Sequence, residues 1–187
     1  MRKILKSFVV LGAALVLTSC APSLHPFFTD EDVVFNNALL GAWVKDSGDK
    51  CLFTKSGADH YDFLYVDDAS SRFEARLIEL GGVKFLDLYP KTFGKNNDLC
   101  PANFVPAHTL ARLTIDKDSI SMAMMDPDWI KQLSDRNQLD LAHERLEDGT
   151  IVLTAPTKKL QAFVLKHADD KKAFGEADVF HRLMLDK

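Results

Sequence analysis

The sequence predicts a mainly β chain with two or three helices (α+β), its strands forming an antiparallel meander that closes into a barrel. Three observations carry this. Short apolar runs recur at close spacing, separated by Asp, Asn, Ser and Gly. In Arg72–Leu80, Phe73, Ala75 and Leu77 alternate with Arg72, Glu74 and Arg76, the two-residue period of a half-buried strand. Gly81-Gly82 then joins this run to Val83–Tyr89 as a tight hairpin. Closing such a meander removes its exposed edges, which favours a barrel over an open sheet.

Each element follows from local chemistry. Residues 20–29 read as a short tether: Pro22 and Pro26 preclude a regular helix, while Phe27 and Phe28 are apolar enough to dock on the body. Thr29 or Asp30 caps a short helical turn containing Glu31 and Asp32. Leu39–Val44 begins the first strand, and Lys50–Thr54 and His60–Val66 follow between turns. Residues 90–107 break the rhythm with Pro90, Gly94, Pro101 and Pro106, making a long loop that contains Phe93, Cys100 and Phe104. Loops of this length are often lids or binding elements; a plain crossing of the barrel end is the alternative.

Thr109–Ile115 and Ser119–Met125 resume the strands. Ile120, Met122 and Met124 share one face, and flexible methionines suit an adaptable cavity wall as well as a filled core. Asp126-Pro127-Asp128 stands in helix-starting order, so a helix runs to about Asp135. Residues 139–147 hold a strand or a short helix, and Thr150–Leu153 a strand. Thr154 opens a helix whose Leu160, Phe163, Val164 and His167 form one stripe, and this helix or a successor continues through Lys171 to Phe174 and stops at Gly175. Ala177–Leu185 ends the chain as a strand closing the barrel beside the first.

Two resemblances add to this reading. Gly41-Ala42-Trp43 resembles the Gly-x-Trp of lipocalin-type barrels, which implies a structural role for Gly41 and Trp43, the tryptophan plugging the closed end. More broadly, Leu39–Val44, Phe73–Pro90 and Leu153–Phe174 resemble stretches of uncharacterised bacterial lipoproteins with a lipocalin-like body. That likeness implies a fold and not an activity.

The N-terminus carries an address. Arg2, Lys3 and Lys6 precede an uncharged run from Ser7 to Leu17, shorter than the roughly 20 residues a membrane-spanning helix needs. Leu17-Thr18-Ser19-Cys20 resembles the lipobox of bacterial prolipoproteins. The resemblance implies that residues 1–19 are a signal peptide and that Cys20 becomes the lipidated N-terminus, which holds the protein to a membrane. One acyl chain anchors only marginally, at about 0.8 kcal/mol per buried CH₂, whereas two hold stably. A non-acidic Ala21 is similar to the outer-membrane sorting type, which implies the periplasmic face of that membrane ahead of the inner one.

Composition bounds the rest. Removing residues 1–19 leaves 168 residues, with 30–187 read as a single barrel domain; the 20 remaining basic residues against 27 acidic ones give a formal charge of −7. An acidic chain without a basic stripe disfavours nucleic acid as partner. Once Cys20 is spent on lipid, export makes a disulfide the favoured reading of Cys51 and Cys100, worth about 4 kcal/mol in the chain-entropy model, with two buried free thiols as the alternative.

No chemistry-bearing motif emerges. His25, His60, His108, His143, His167 and His181 show no metal-ligand spacing, and there is neither a nucleophile elbow nor a phosphate-cradling glycine loop. The expectation is therefore no catalytic residue, no metal and no cofactor. Two functions remain: a lipid-anchored barrel holding a small apolar or lipid ligand, with Phe93, Phe104, Met122 and Met124 as candidate contacts, or an envelope interaction protein with a filled barrel. An enzyme assembled from distant residues trails both.

Overall fold

The computed structural model describes residues 20–91 and 105–184. The expected signal peptide (1–19) and the loop residues Phe93, Cys100 and Phe104 lie outside the described residues. Ten strands are described: β1 Gly41–Lys45, β2 Lys50–Ser56, β3 His60–Val66, β4 Ser70–Leu80, β5 Val83–Pro90, β6 Thr109–Ile115, β7 Ser119–Met124, β8 His143–Arg145, β9 Ile151–Leu153 and β10 Asp178–Arg182. Two α-helices join them, α1 Pro127–Asp135 and α2 Thr157–Lys166.

Eight of the strands form a closed antiparallel barrel in the order β1-β10-β7-β6-β5-β4-β3-β2. The last strand, β10, pairs with β1 through Trp43–Arg182 and with β7 through Phe180–Ile120, closing the meander as expected. β8 and β9 form a separate two-stranded sheet, which settles the 139–147 stretch as a short strand. At the β4–β5 hairpin Leu80 pairs with Val83, and Gly81 and Gly82 both take positive φ (55° and 81°), as the two-residue turn requires.

Both boundaries of the second helix differ from expectation. The second helix starts at Thr157 and not at Thr154, because Pro156 biases the preceding residue away from helical geometry. It ends at Lys166. Turns over residues 167–174 then lay Ala168, Ala173 and Phe174 against the barrel, where Phe174 bridges Met125, a placement a continuing helix would not give.

Alternation along the strands divides the apolar residues into two cores. The inner one fills the barrel with Leu39, Trp43, Phe53, Tyr61, Phe63, Leu77, Leu86, Ile120 and Phe180. The outer one lies between the β4–β7 wall and the helices, joining Ile78, Phe85 and Leu110 to Trp129, Ile130, Leu160, Phe163 and Val164. β4 and β5 are thus buried on both faces over part of their length, and their patterns lose strict alternation there.

Among the described residues Trp43 plugs one end of the barrel, and the opposite end is termed the mouth. At the sealed end the 3-10 turn Asn37–Leu39 lies under Trp43, whose indole Nε1 donates to Leu39 O at 2.9 Å. The Arg182 guanidinium covers the ring at 4.0 Å and donates to Leu40 O and Ala38 O at 3.0 and 2.6 Å. Gly41 is required here: its φ is +117°, and a Cβ would lie 3.3 Å from Arg182 Nη1. Trp43 is fully buried. Truncating it removes both the plug and the partner of Arg182, so Trp43→Ala should destabilise the protein by about 3–5 kcal/mol, read as a lower midpoint in urea unfolding, with Trp43→Phe costing less.

Candidate functional site at the barrel mouth

The interior is filled from the sealed end upward. An eight-stranded barrel is just wide enough for side chains to fill it, and here aromatic rings do so. Phe53 and Phe63 lie 4.5 Å apart, Phe63 and Phe73 6.0 Å, and Phe53 meets Tyr61 edge-on at 5.9 Å. Burial holds the Tyr61 phenol above its usual pKa, although its oxygen is tied to the backbone of Asn36 at 2.7 and 3.1 Å.

Cys51 belongs to this packing. The expected Cys51–Cys100 disulfide is not seen: Cys51 is a free thiol, 1% exposed, facing inward beside Trp43 and Tyr65 in register, and Cys100 lies outside the described residues. Burial pushes the thiol up to about 12, so Cys51 behaves as a small apolar residue of the core.

Beside the end of β7, at the end of the barrel opposite Trp43, lies an open groove of about 310 Å³. Met122 and Met124 wall it, with Asp126, Pro127, Asp128, Gly175, Glu176 and Asp178 around the rim. Two of these carboxylates are already engaged. Asp126 caps α1 by accepting from Asp128 N and Trp129 N at 2.8 and 3.0 Å, and Asp178 pairs with Lys45. Across the mouth the Tyr65 hydroxyl donates to Asp49 at 3.3 Å; burial, followed by the charges of Asp49 and Asp178, pushes this phenol up to about 12. Of the four candidate ligand contacts, Met122 and Met124 come together here, while Phe93 and Phe104 lie outside the described residues. Gly41 and Trp43 sit at the opposite, sealed end.

Cys20 stands at the head of an arm that is bound to the body along its length. Ala21 N donates to Met125 O at 3.4 Å, Ser23 and His108 exchange backbone bonds of 2.8 Å, and Leu153 N donates to Pro22 O at 2.9 Å. Farther along, Asp87 is 2% exposed and receives Phe27 N at 3.0 Å and His108 Nδ1 at 2.7 Å. Gln161 on α2 bridges Phe27 O and Asp32, and Thr157 donates to Pro26 O. Burial opposes the ionised Asp32, but hydrogen bonds from Thr29 and Gln161 and the charge of Lys158 outweigh it and hold the carboxyl below its usual value.

Asp87, His108 and Gln161 were not singled out from the sequence. A signal was available for Asp87: it interrupts the apolar run Val83–Tyr89 at an outward-facing position shared with Phe85.

A second cavity, of about 590 Å³, lies outside the barrel between α2 and residues 138–142. Leu139, Leu141, Ala155 and Phe163 form its apolar wall, and Lys159, Lys166 and His167 stand around it. His167 packs on Phe163 at 4.8 Å and on Trp129 at 5.0 Å. Burial, then the charge of Lys166, holds its pKa below the ordinary 6.5. Among the described residues no group of three or more His, Cys, Asp or Glu could hold a metal ion, and no helix is long and apolar enough to cross a membrane.

Comparison with protein-family models, curated proteins and solved structures finds no match for the chain. The class therefore rests on the architecture: a closed eight-stranded antiparallel barrel of lipocalin-like form, sealed at one end and backed by two helices.

Two measurements check the arm and the outer core. Asp87→Ala leaves the buried Phe27 N–H without its acceptor, so it should cost about 1–3 kcal/mol and speed amide exchange at Phe27 and Ser23 before the barrel opens. For His167 the unfolded chain takes up the proton first as pH falls. Its contribution is complete above about 6.5 and declines below that, towards the lower folded value. His167→Phe should accordingly flatten the fall in urea midpoint between roughly pH 7 and 5.

Proposed function

We propose that this protein is a bacterial lipoprotein held to the cell envelope through acylated Cys20, and that the mouth of its barrel takes a small apolar group or a lipid. The outer membrane, on its periplasmic face, is the location that Ala21 favours. The observation that carries the binding reading is the wall of Met122 and Met124 on a groove of about 310 Å³, at the end of the barrel opposite Trp43. That volume is at the small end of the roughly 300–1,000 Å³ of ligand pockets, so the occupant is the end of a chain or a small molecule. The site offers adaptable sulfur-bearing side chains, which supports holding a ligand.

A second reading is an envelope interaction protein that holds no ligand. The aromatic filling below the mouth favours it, since Phe53, Phe63, Tyr61 and Phe180 occupy the space a lipocalin-type ligand would need.

Native mass spectrometry of the detergent-extracted protein separates these readings. Binding at the mouth should appear as a retained small-molecule mass on top of the acylated Cys20, lost in a Met122→Ala/Met124→Gln variant whose thermal melt shows it still folded. A bare acylated polypeptide from native membranes would overturn ligand binding and leave the interaction reading.

A further inference from the structure

We infer that the barrel stands mouth-first on the bilayer, so that the groove walled by Met122 and Met124 opens towards lipid and the Trp43 plug points away from it. This rests on the lipoprotein reading and adds to it the surface that meets the membrane. The argument is the path of the N-terminal arm. Ala21 is fixed to Met125, one residue beyond the mouth end of β7, and Ser23 to His108, one residue before the mouth end of β6. Phe27 is then held by Asp87, halfway along β5, and Val34 N donates to Leu77 O towards the sealed end. From there the chain turns under Trp43 and enters β1. The arm therefore descends the outside of the barrel from mouth to plug, with Cys20 at the mouth.

Slack decides whether that position matters. Nine flexible residues between the anchor and the body would wander over about 15–18 Å and let the barrel tumble. Here Ala21 is 1% exposed and Ser23 and Phe27 are fully buried, so the spacer is spent on the body. Cys20 lies a single step of about 3.8 Å from the docked Ala21. Acyl chains on Cys20 would enter the bilayer directly beside the mouth, bringing its rim to the headgroups. The adjoining turns carry Asp46, Asp49, Asp67 and Asp68. The approach is therefore made by the acyl chains against an acidic end, and neutral headgroups suit it better than anionic ones.

The test uses the acylated protein in phosphatidylcholine vesicles containing a small fraction of nickel-chelating lipid. Nitroxides are placed by Ser47→Cys and Asp68→Cys at mouth turns and by Lys117→Cys at the sealed end, in a Cys100→Ser background. All three labelled positions are exposed and Cys51 is buried. Nickel headgroups should relax the labels at 47 and 68 severalfold more strongly than the label at 117. A flexible Gly-Ser spacer inserted between Cys20 and Ala21 should erase the difference. Equal relaxation at both ends, or stronger relaxation at 117, in protein whose intact mass includes the acyl group would overturn the orientation while leaving the lipoprotein reading in place. An intact mass without that group would remove both.

Discussion

The structure depends on ring closure by β10. This five-residue strand supplies hydrogen-bonding partners to both β1 and β7, which otherwise would be the two free edges of a seven-stranded sheet. Closure fixes register, and register fixes which residues face inward. Phe180 and Arg182 enter the interior because Lys45 and Trp43 are their partners on β1, and Arg182 can then lie over the Trp43 ring. The plug, the aromatic filling and the position of the mouth all follow from that alignment.

A second constraint acts on the outside. Among the described residues, the β4–β7 part of the wall is covered twice, by the helices and by the N-terminal arm. Among the described residues Asp87 is the one buried carboxylate, and it does not sit in the barrel interior. It faces outward into the seam between arm and wall, where a backbone N–H and His108 satisfy it. A buried carboxylate without such partners would cost several kcal/mol, so its presence ties the arm to one place on the wall.

Much of the barrel was legible because its signals are local. β3 and β6 fall on the runs His60–Val66 and Thr109–Ile115, alternation marks β4 and β7, the glycine pair sets the β4–β5 turn, and Gly41-Ala42-Trp43 marks the sealed end. What was not legible depends on partners distant in sequence. Nothing near Asp87 announces Phe27, sixty residues earlier, and nothing near Arg182 announces Trp43. The three residues of β8 are too few for a period to show. Cys51 illustrates a different limit: an even pair of cysteines suggested a crosslink, whereas strand alternation already turned Cys51 into the core as a closely packed thiol. The mouth was half legible, since the methionines alternate visibly but the rim is assembled from α1 and the segment before β10.

The place of β10 in the chain has a bearing on assembly. Its partner β1 begins 137 residues earlier, counting from Gly41 to Asp178, so the contact that removes both open edges is among the most non-local in the molecule. Such pairings form late, because the entropy of bringing remote segments together must be met before any bond rewards it. As the polypeptide emerges from its N-terminus, seven strands can line up while the eighth is still missing. Throughout that interval the growing sheet presents two unsatisfied borders, which makes β10 the strand that ends its exposure to aggregation.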